Sequence, residues 1–134
     1  MRILTTFVTA AVAAAVLVVL PRATVGGNAA SVRSSEARLV ARRFLRTINT
    51  RQFEATCSML SRRFYRENHV PSRERCVLGF RIGFTWAPTY RFQIGAAHAS
   101  GDRVTVETLA NGAPGTVVLV REAGEFRVLS VRGD

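Results

Sequence analysis

The sequence predicts an α+β domain in which N-terminal helices pack on a four-stranded antiparallel sheet, preceded by an apolar leader helix. The run from Ile3 to Leu20 carries no charged residue, and the chain after it places apolar residues at helical spacing as far as Phe80. From Tyr90 onward the apolar residues alternate with polar ones, as they do in strands with one buried face. Helices followed by strands with short connections are typical of helices covering one face of an antiparallel sheet.

Residues 1–30 are predicted to be a leader, and residues 34–134 one domain. Met1-Arg2 is a positively charged start, the apolar run follows it, and small residues come after Pro21-Arg22, as in a secretory signal peptide. Cleavage would then follow Gly27 or Ala29. Residues 3–20 are also long enough to stay in the bilayer as an anchor, and a buried core helix is a third interpretation. We therefore expect a secreted or extracytoplasmic protein, cleaved or anchored to the cytoplasmic membrane by residues 3–20.

The charge of the chain does not by itself indicate a nucleic-acid partner. The formal net charge is +10, from nineteen basic and nine acidic residues. All the basic residues are arginine and they are scattered, with pairs at Arg42/Arg43 and Arg62/Arg63, and no nucleic-acid-binding motif is present. We interpret the excess as a solvated surface, with a weak interaction with anionic lipid or cell-wall polymers as the alternative.

Three helices are predicted before the sheet. The first is capped at Ser34-Ser35 and ends at Asn49-Thr50, a length of about fourteen residues. Its inward face is the apolar stripe of Ala37, Val40, Ala41, Phe44, Leu45 and Ile48. The second helix carries the stripe Phe53, Cys57, Leu60 and Phe64. The third begins after an N-cap at Ser72 and turns inward Cys76, Val77 and Phe80.

The two cysteines, Cys57 and Cys76, are predicted to form one disulfide. Both fall on inward positions of neighbouring helices, and a disulfide suits an exported domain. Two buried free thiols are the alternative. A zinc site is disfavoured because neither cysteine has a second Cys or a His at the spacing that zinc ligands require. We expect no metal and no cofactor.

Four strands are predicted from Tyr90 to the end. The first alternates through Tyr90, Phe92 and Ile94, and a turn at Ser100-Gly101-Asp102 leads to the second, which carries Val104 and Val106. A loop over residues 111–115 precedes the third strand, Thr116–Arg121. A turn at Ala123-Gly124 precedes the fourth, Glu125–Val131. Connections this short join neighbouring antiparallel strands.

Taken in order, several segments resemble the nuclear transport factor 2 superfamily, the ketosteroid-isomerase-like fold. They are the helix Ala37–Ile48, the segment FEATCSMLS at residues 53–61, Cys76, the turn GDRV at residues 101–104, and the hairpin VLVREAGEFRV at residues 118–128. More narrowly, the chain is similar to small exported actinobacterial proteins with that fold. It departs from them at Phe126, where a Trp is common, and at Arg51-Gln52, where an acidic residue or Gly is common.

The resemblance implies a cone of helices against a curved sheet, with room for a pocket. The superfamily includes isomerases, dehydratases, carrier-type binders and catalytically silent scaffolds attached to a membrane helix, so the fold alone does not decide the function. An isomerase would need a carboxylate base facing a donor inside the cone. Glu107 is the one acid in the interior of a predicted strand, and its alternation with Val104 and Val106 points it away from the core.

Four residues are the ligand-binding candidates. Tyr65, Trp86 and Tyr90 are aromatic residues with polar tips, which suit the mouth of a pocket, although such residues are also common in cores. His98 follows the first strand on the side of Tyr90 and could face the cone, unless a bulge breaks the alternation. His69 lies in a polar turn and is interpreted as a surface residue.

From these residues we expect a non-catalytic exported domain that binds a small apolar molecule or a protein partner at the cell envelope. No catalytic residue is assigned, because the sequence has no Gly-rich phosphate loop, no G-x-S-x-G motif and no metal-ligand cluster. An isomerase or dehydratase and a membrane-anchored scaffold are the alternatives. Membrane contact is expected only through the N-terminal segment, and nothing in the sequence fixes an oligomeric state.

Overall fold

The computed structural model of the protein describes residues 31–133. Residues Ser34–Asp134 form a compact unit. Within the described part of the chain, no helix combines the length and the apolar character needed to cross a membrane. The predicted leader helix, the cleavage sites and the anchor over residues 3–20 lie outside the described residues.

The first helix, α1, covers residues 31–49 of the described chain. Its predicted apolar stripe is its buried face, with Ala37, Ala41 and Phe44 at most 1% exposed, while its arginines face solvent. The predicted N-cap at Ser34-Ser35 is wrong, because residues 31–35 are already helical. The predicted end at Asn49-Thr50 agrees with the structure, and Arg51 follows in a left-handed conformation with φ 56°.

The second predicted helix is two short helices, α2 at Phe53–Ser58 and α3 at Arg62–Glu67. Between them the chain pairs with the last strand, where the Ser61 N–H donates to the Val128 carbonyl and the Val128 N–H donates to the Met59 carbonyl, each at 2.8 Å. The Ser61 side chain then caps α3 by accepting from the Phe64 N–H. A long-range backbone pairing therefore interrupts a stripe that would otherwise continue as one helix.

The third predicted helix, α4, covers Arg73–Phe84. Ser72 is its N-cap, as predicted, with the side-chain oxygen accepting from the Arg75 N–H. The rings of Phe80 and Phe84 stack at 5.8 Å between centroids, and Phe80 stacks on Phe53 of α2 at the same distance. Of the elements from α2 to β4, α4 contacts only α2.

The strands are β1 at Phe92–Ser100, β2 at Arg103–Ala110, β3 at Ala113–Glu122 and β4 at Glu125–Gly133. They form one antiparallel sheet in the order β1-β2-β3-β4. The prediction of an α+β fold with a four-stranded antiparallel sheet after the helices is therefore confirmed.

The predicted loop over residues 111–115 is wrong, because β3 already begins at Ala113. Asn111 and Gly112 alone make the turn, with φ 51° and 83°, and Ala110 pairs directly with Ala113. Two residues with positive φ give a hairpin turn whose twist matches that of the flanking strands. The residues after Gly112 can therefore pair at once, in spite of Pro114.

The core lies between α1, α2 and one face of the sheet. Alternate residues of β2 and β3 supply that face, and β4 adds to it across a bulge between Val118 and Leu119. The side chains that meet there are nearly or fully buried: Phe44, Cys57, Val104, Val106, Val117, Leu119 and Val128. These side chains occupy the space that α1 and α2 share with β2, β3 and β4, while a groove of about 510 Å³ remains between α1 and β1.

Cys57 of α2 and Cys76 of α4 form the predicted disulfide. Cys57 is 1% exposed and belongs to the core, with Cys76 beside it. The bond therefore fastens α4 to the one element from α2 to β4 that α4 contacts.

Removing the disulfide should lower the free energy of unfolding by about 3 kcal/mol, the value that chain entropy gives for a loop of about twenty residues. The measurement is chemical denaturation of the oxidised protein, the reduced protein and the Cys57→Ala/Cys76→Ala variant. The reduced protein and the variant should agree with each other. Equal stability of all three would contradict a stabilising bond.

Candidate functional site

Four arginines line one surface groove of about 670 Å³, which we name the arginine groove. Arg62 and Arg66 come from α3, Arg73 from the start of α4 and Arg127 from β4. The other lining residues are Cys57, Ser58, Leu60, Tyr65, Glu122 and Ala123. The groove thus lies where two helix starts, the end of α2 and the β3–β4 turn meet.

Two serine caps fix where the helical arginines stand. Ser61 caps α3 and makes Arg62 its first residue, and Ser72 caps α4 and makes Arg73 its first residue. Arg127 is held separately. One of its guanidinium nitrogens donates to the Ser58 carbonyl at 2.6 Å, and another lies 2.9 Å from a Glu125 carboxylate oxygen.

The groove carries more positive than negative charge. Among residues 31–133, the guanidinium groups of Arg62, Arg66 and Arg73 form no salt bridge. Glu122 is the one acidic residue in the lining. Its carboxylate accepts the Arg62 backbone N–H at 3.0 Å. Arginine stays charged at any physiological pH, so like charges face one another across this groove.

Tyr65 lies among these arginines, and its hydroxyl donates to the Cys57 carbonyl at 2.7 Å. Burial raises the pKa of this phenol above the usual value near 10, and the Arg73 guanidinium opposes the rise. The hydrogen bond to the carbonyl requires the neutral phenol, because a phenolate has no proton to donate. Tyr65 is therefore held neutral at physiological pH.

The chemistry that this groove offers is recognition of anions. A guanidinium group presents several N–H donors in one plane and matches the two oxygens of a carboxylate or phosphate. A bound anion would also relieve the repulsion among the arginines. By contrast, the two groups that could act as base and proton donor, Glu122 and Tyr65, are both engaged with backbone groups.

The structure does not bring the four predicted ligand-binding residues together. Tyr65 lies in the arginine groove. Tyr90 is half-buried and lines a separate, small pocket, where Asn49 bonds both its N–H and its carbonyl. Trp86 follows the end of α4 and is 94% exposed.

His98 faces solvent on the outer side of the sheet. A bulge between Ile94 and Ala97 shifts the alternation of β1, so that Ala97 pairs with the buried Val106 and His98 pairs with Thr105. The His98 imidazole lies 3.5 Å from the Glu107 carboxylate, and both side chains are more than half exposed. The expectation that His98 could face the interior is therefore wrong, whereas Glu107 points outward as predicted.

The sequence alone did not distinguish the four groove arginines from the other arginines, of which the chain has nineteen in all. Arg62 and Arg127 are far apart in the chain and become neighbours only through the pairing of Leu60 with Val128. The one local signal was the pair of serine N-caps, since each cap is followed directly by an arginine.

The chain matches no protein-family model, no curated protein and no solved structure. The likeness to the nuclear transport factor 2 superfamily stays a resemblance.

Because its pKa is raised, Tyr65 should ionise above pH ~10, where a free tyrosine titrates. Neutral Tyr65 favours the folded state, so its contribution to stability is complete below the unfolded pKa and is lost as pH rises through the folded pKa. The measurement is phenolate absorbance against pH for the wild type and Tyr65→Phe. The difference between the two absorbance curves should have its midpoint above pH ~10. Arg73→Gln should raise this midpoint further, because it removes the nearby positive charge. A midpoint at or below 10 would contradict this account.

Proposed function

We propose that this protein is a non-catalytic extracytoplasmic binding domain whose arginine groove receives an acidic segment of a protein partner at the cell envelope. The observation that carries the proposal is the convergence of Arg62, Arg66, Arg73 and Arg127 on a groove with one carboxylate in its lining. A carboxylate-rich segment would supply the counter-charge that Arg62, Arg66 and Arg73 lack among residues 31–133.

The charged lining of the groove suits an acidic peptide better than a small apolar molecule. The interior between α1, α2 and strands β2 to β4 is filled by side chains such as Phe44, Val106 and Leu119, each at most 1% exposed. The groove that remains between α1 and β1, of about 510 Å³, has Arg42 and Arg46 in its lining. The arginine groove is open to solvent and has four arginines among its ten lining residues, and guanidinium groups bind carboxylates by paired hydrogen bonds. Of the two ligand classes expected from the sequence, the protein partner is therefore the better supported.

The arrangement also favours binding over catalysis. An isomerase needs a free base and a free donor facing one substrate atom. In the groove, the Tyr65 hydroxyl already donates to the Cys57 carbonyl, and the Glu122 carboxylate already accepts from the backbone of α3. His98 and Glu107 do lie together, but on the exposed outer face of the sheet.

An extracytoplasmic location is supported by the disulfide, which is compatible with an oxidising compartment. The predicted leader adds to this. If residues 3–20 are retained as an anchor, the domain would hold its partner at the membrane; if they are cleaved, it would act as a free binding protein.

Reversing two of the groove arginines, in Arg66→Glu/Arg73→Glu, should weaken binding of an acidic peptide about tenfold or more. Each exposed ion pair contributes up to about 1 kcal/mol, and the two introduced carboxylates repel the peptide. The probe is a fluorescein-labelled poly-glutamate peptide, and the measurement is fluorescence anisotropy at low and at physiological salt.

The matched control is Arg38→Glu/Arg43→Glu, which makes the same charge change on the exposed side of α1, outside the groove. It should retain most of the affinity at physiological salt. Equal losses in the two variants would mean that the peptide responds to overall charge, and the groove would then not be the site. Absence of binding by the wild type would overturn the proposal.

A further inference from the structure

We infer that Leu78, Ile82 and Trp86 form a membrane-docking ridge that inserts into the interface of a bilayer containing anionic lipid. The ridge is a different surface from the arginine groove, and the inference does not depend on the proposed function. It adds a second point of membrane contact to the leader predicted from the sequence.

The ridge is the exposed apolar side of α4 and of the residues that follow it. Leu78 and Ile82 are four residues apart and share one face of the helix. They are 46% and 70% exposed, and Trp86, four residues further on, is 94% exposed. The opposite face of α4 is occupied, since Cys76 and Val77 are buried and Phe80 and Phe84 stack with Phe53. Packing within the described domain therefore does not explain why Leu78, Ile82 and Trp86 are exposed.

The segment that carries Trp86 is held in position. The Arg51 guanidinium donates to the carbonyls of Phe84 and Ala87, the latter at 2.7 Å, so it binds the chain on both sides of the tryptophan. Asn49 fixes the backbone of Tyr90 from the same end of α1. Trp86 is thus presented to solvent by a fixed backbone, which is what insertion without a large ordering cost requires.

The chemistry of the ridge matches that of a bilayer interface. Tryptophan is enriched at the level of the lipid headgroups, where its ring is buried among the chains while its N–H stays hydrated. Interfacial helices combine such residues with arginine on their flanks. The charged residues of α4 are Arg73, Arg75 and Arg81 against Glu74 alone, and the whole chain carries +10.

A flat interface fits this surface better than a protein groove does. A groove that receives a helix surrounds much of its circumference, but the inner half of α4 is already packed against α2. A bilayer needs only the outer side, to a depth of about 5–10 Å. Charge complementarity then selects anionic over zwitterionic lipid.

Trp86 is the only tryptophan of the chain, so its fluorescence reports on the ridge alone. The experiment adds the full-length protein to vesicles of phosphatidylcholine, with and without phosphatidylglycerol. With phosphatidylglycerol we expect a blue shift of the emission, protection from acrylamide, and stronger quenching by lipids brominated near the headgroup than by lipids brominated deep in the chains. The predicted leader contains no tryptophan, so its own insertion would not produce this signal.

The variant Leu78→Ser/Ile82→Ser should abolish the shift. Arg75→Glu/Arg81→Glu should lower the docking constant about thirtyfold or more, since each of the two basic residues near an anionic surface contributes about 1 kcal/mol. The control, Leu39→Ser/Val131→Ser, removes apolar side chains of similar exposure from α1 and β4 and should leave the shift intact. Circular dichroism checks that each variant folds, and the brominated-lipid measurement needs only the wild type.

Three outcomes would overturn the inference. The first is an emission that stays that of a hydrated tryptophan with both vesicle types. The second is an equal shift with and without phosphatidylglycerol, which would remove the role of charge. The third is a blue shift that appears without vesicles as protein concentration rises, which would assign the ridge to a second copy of the chain.

Discussion

Cys57 and Cys76 join α2 to α4, and among the elements from α2 to β4 only α2 approaches the backbone of α4 closely. The helix starts with Arg73 in the arginine groove and ends two residues before Trp86. Both proposed surfaces therefore depend on the attachment of α4, which consists of the disulfide, the stack of Phe53 with two rings of α4, and the hydrogen bonds from Arg51 to the end of the helix. Without this attachment, α4 would no longer hold Arg73 in the arginine groove, nor Leu78 and Ile82 in line with Trp86.

The sheet imposes a second constraint, just after the C-terminal end of α2. The backbone pairing of Leu60 with Val128 ends α2 early and starts α3 in a new direction. Arg62 then faces the same groove as Arg127, whose guanidinium bonds the end of α2 through the Ser58 carbonyl. The arginine groove thus lies where the end of α2 and the start of α3 are hydrogen-bonded to β4. Charge is concentrated at a rigid part of the fold, which limits the ordering cost of binding.

Local patterns were enough for the fold class, the disulfide, the Ser72 cap and the strand order, because periodicity and turn residues act over short distances. These local patterns could not predict the pairing of backbone segments that lie far apart in the sequence. The break between α2 and α3 comes from a partner that lies far along the chain in β4, and the bulge after Ile94 reverses the side on which His98 lies. For the same reason Tyr65 was found by its residue type, while the arginines around it had no local signature to set them apart from the other arginines.

The distribution of acidic residues explains why the charge excess is not uniform. Glu36, Glu67 and Glu125 each form a salt bridge with an arginine at 2.9 Å or less. The partner of Glu36 is Arg121, whose guanidinium also lies over the Phe126 ring. Glu107 pairs with a histidine, and Glu122 binds a backbone N–H. Of these five carboxylates, three are engaged outside the groove, whereas Glu122 lines it and Glu125 binds its Arg127. Among residues 31–133, the arginines without a carboxylate partner include three that line the groove together, Arg62, Arg66 and Arg73. A solvated surface would spread these charges apart, since repulsion rises as they approach. Their convergence therefore favours a site built for an anion.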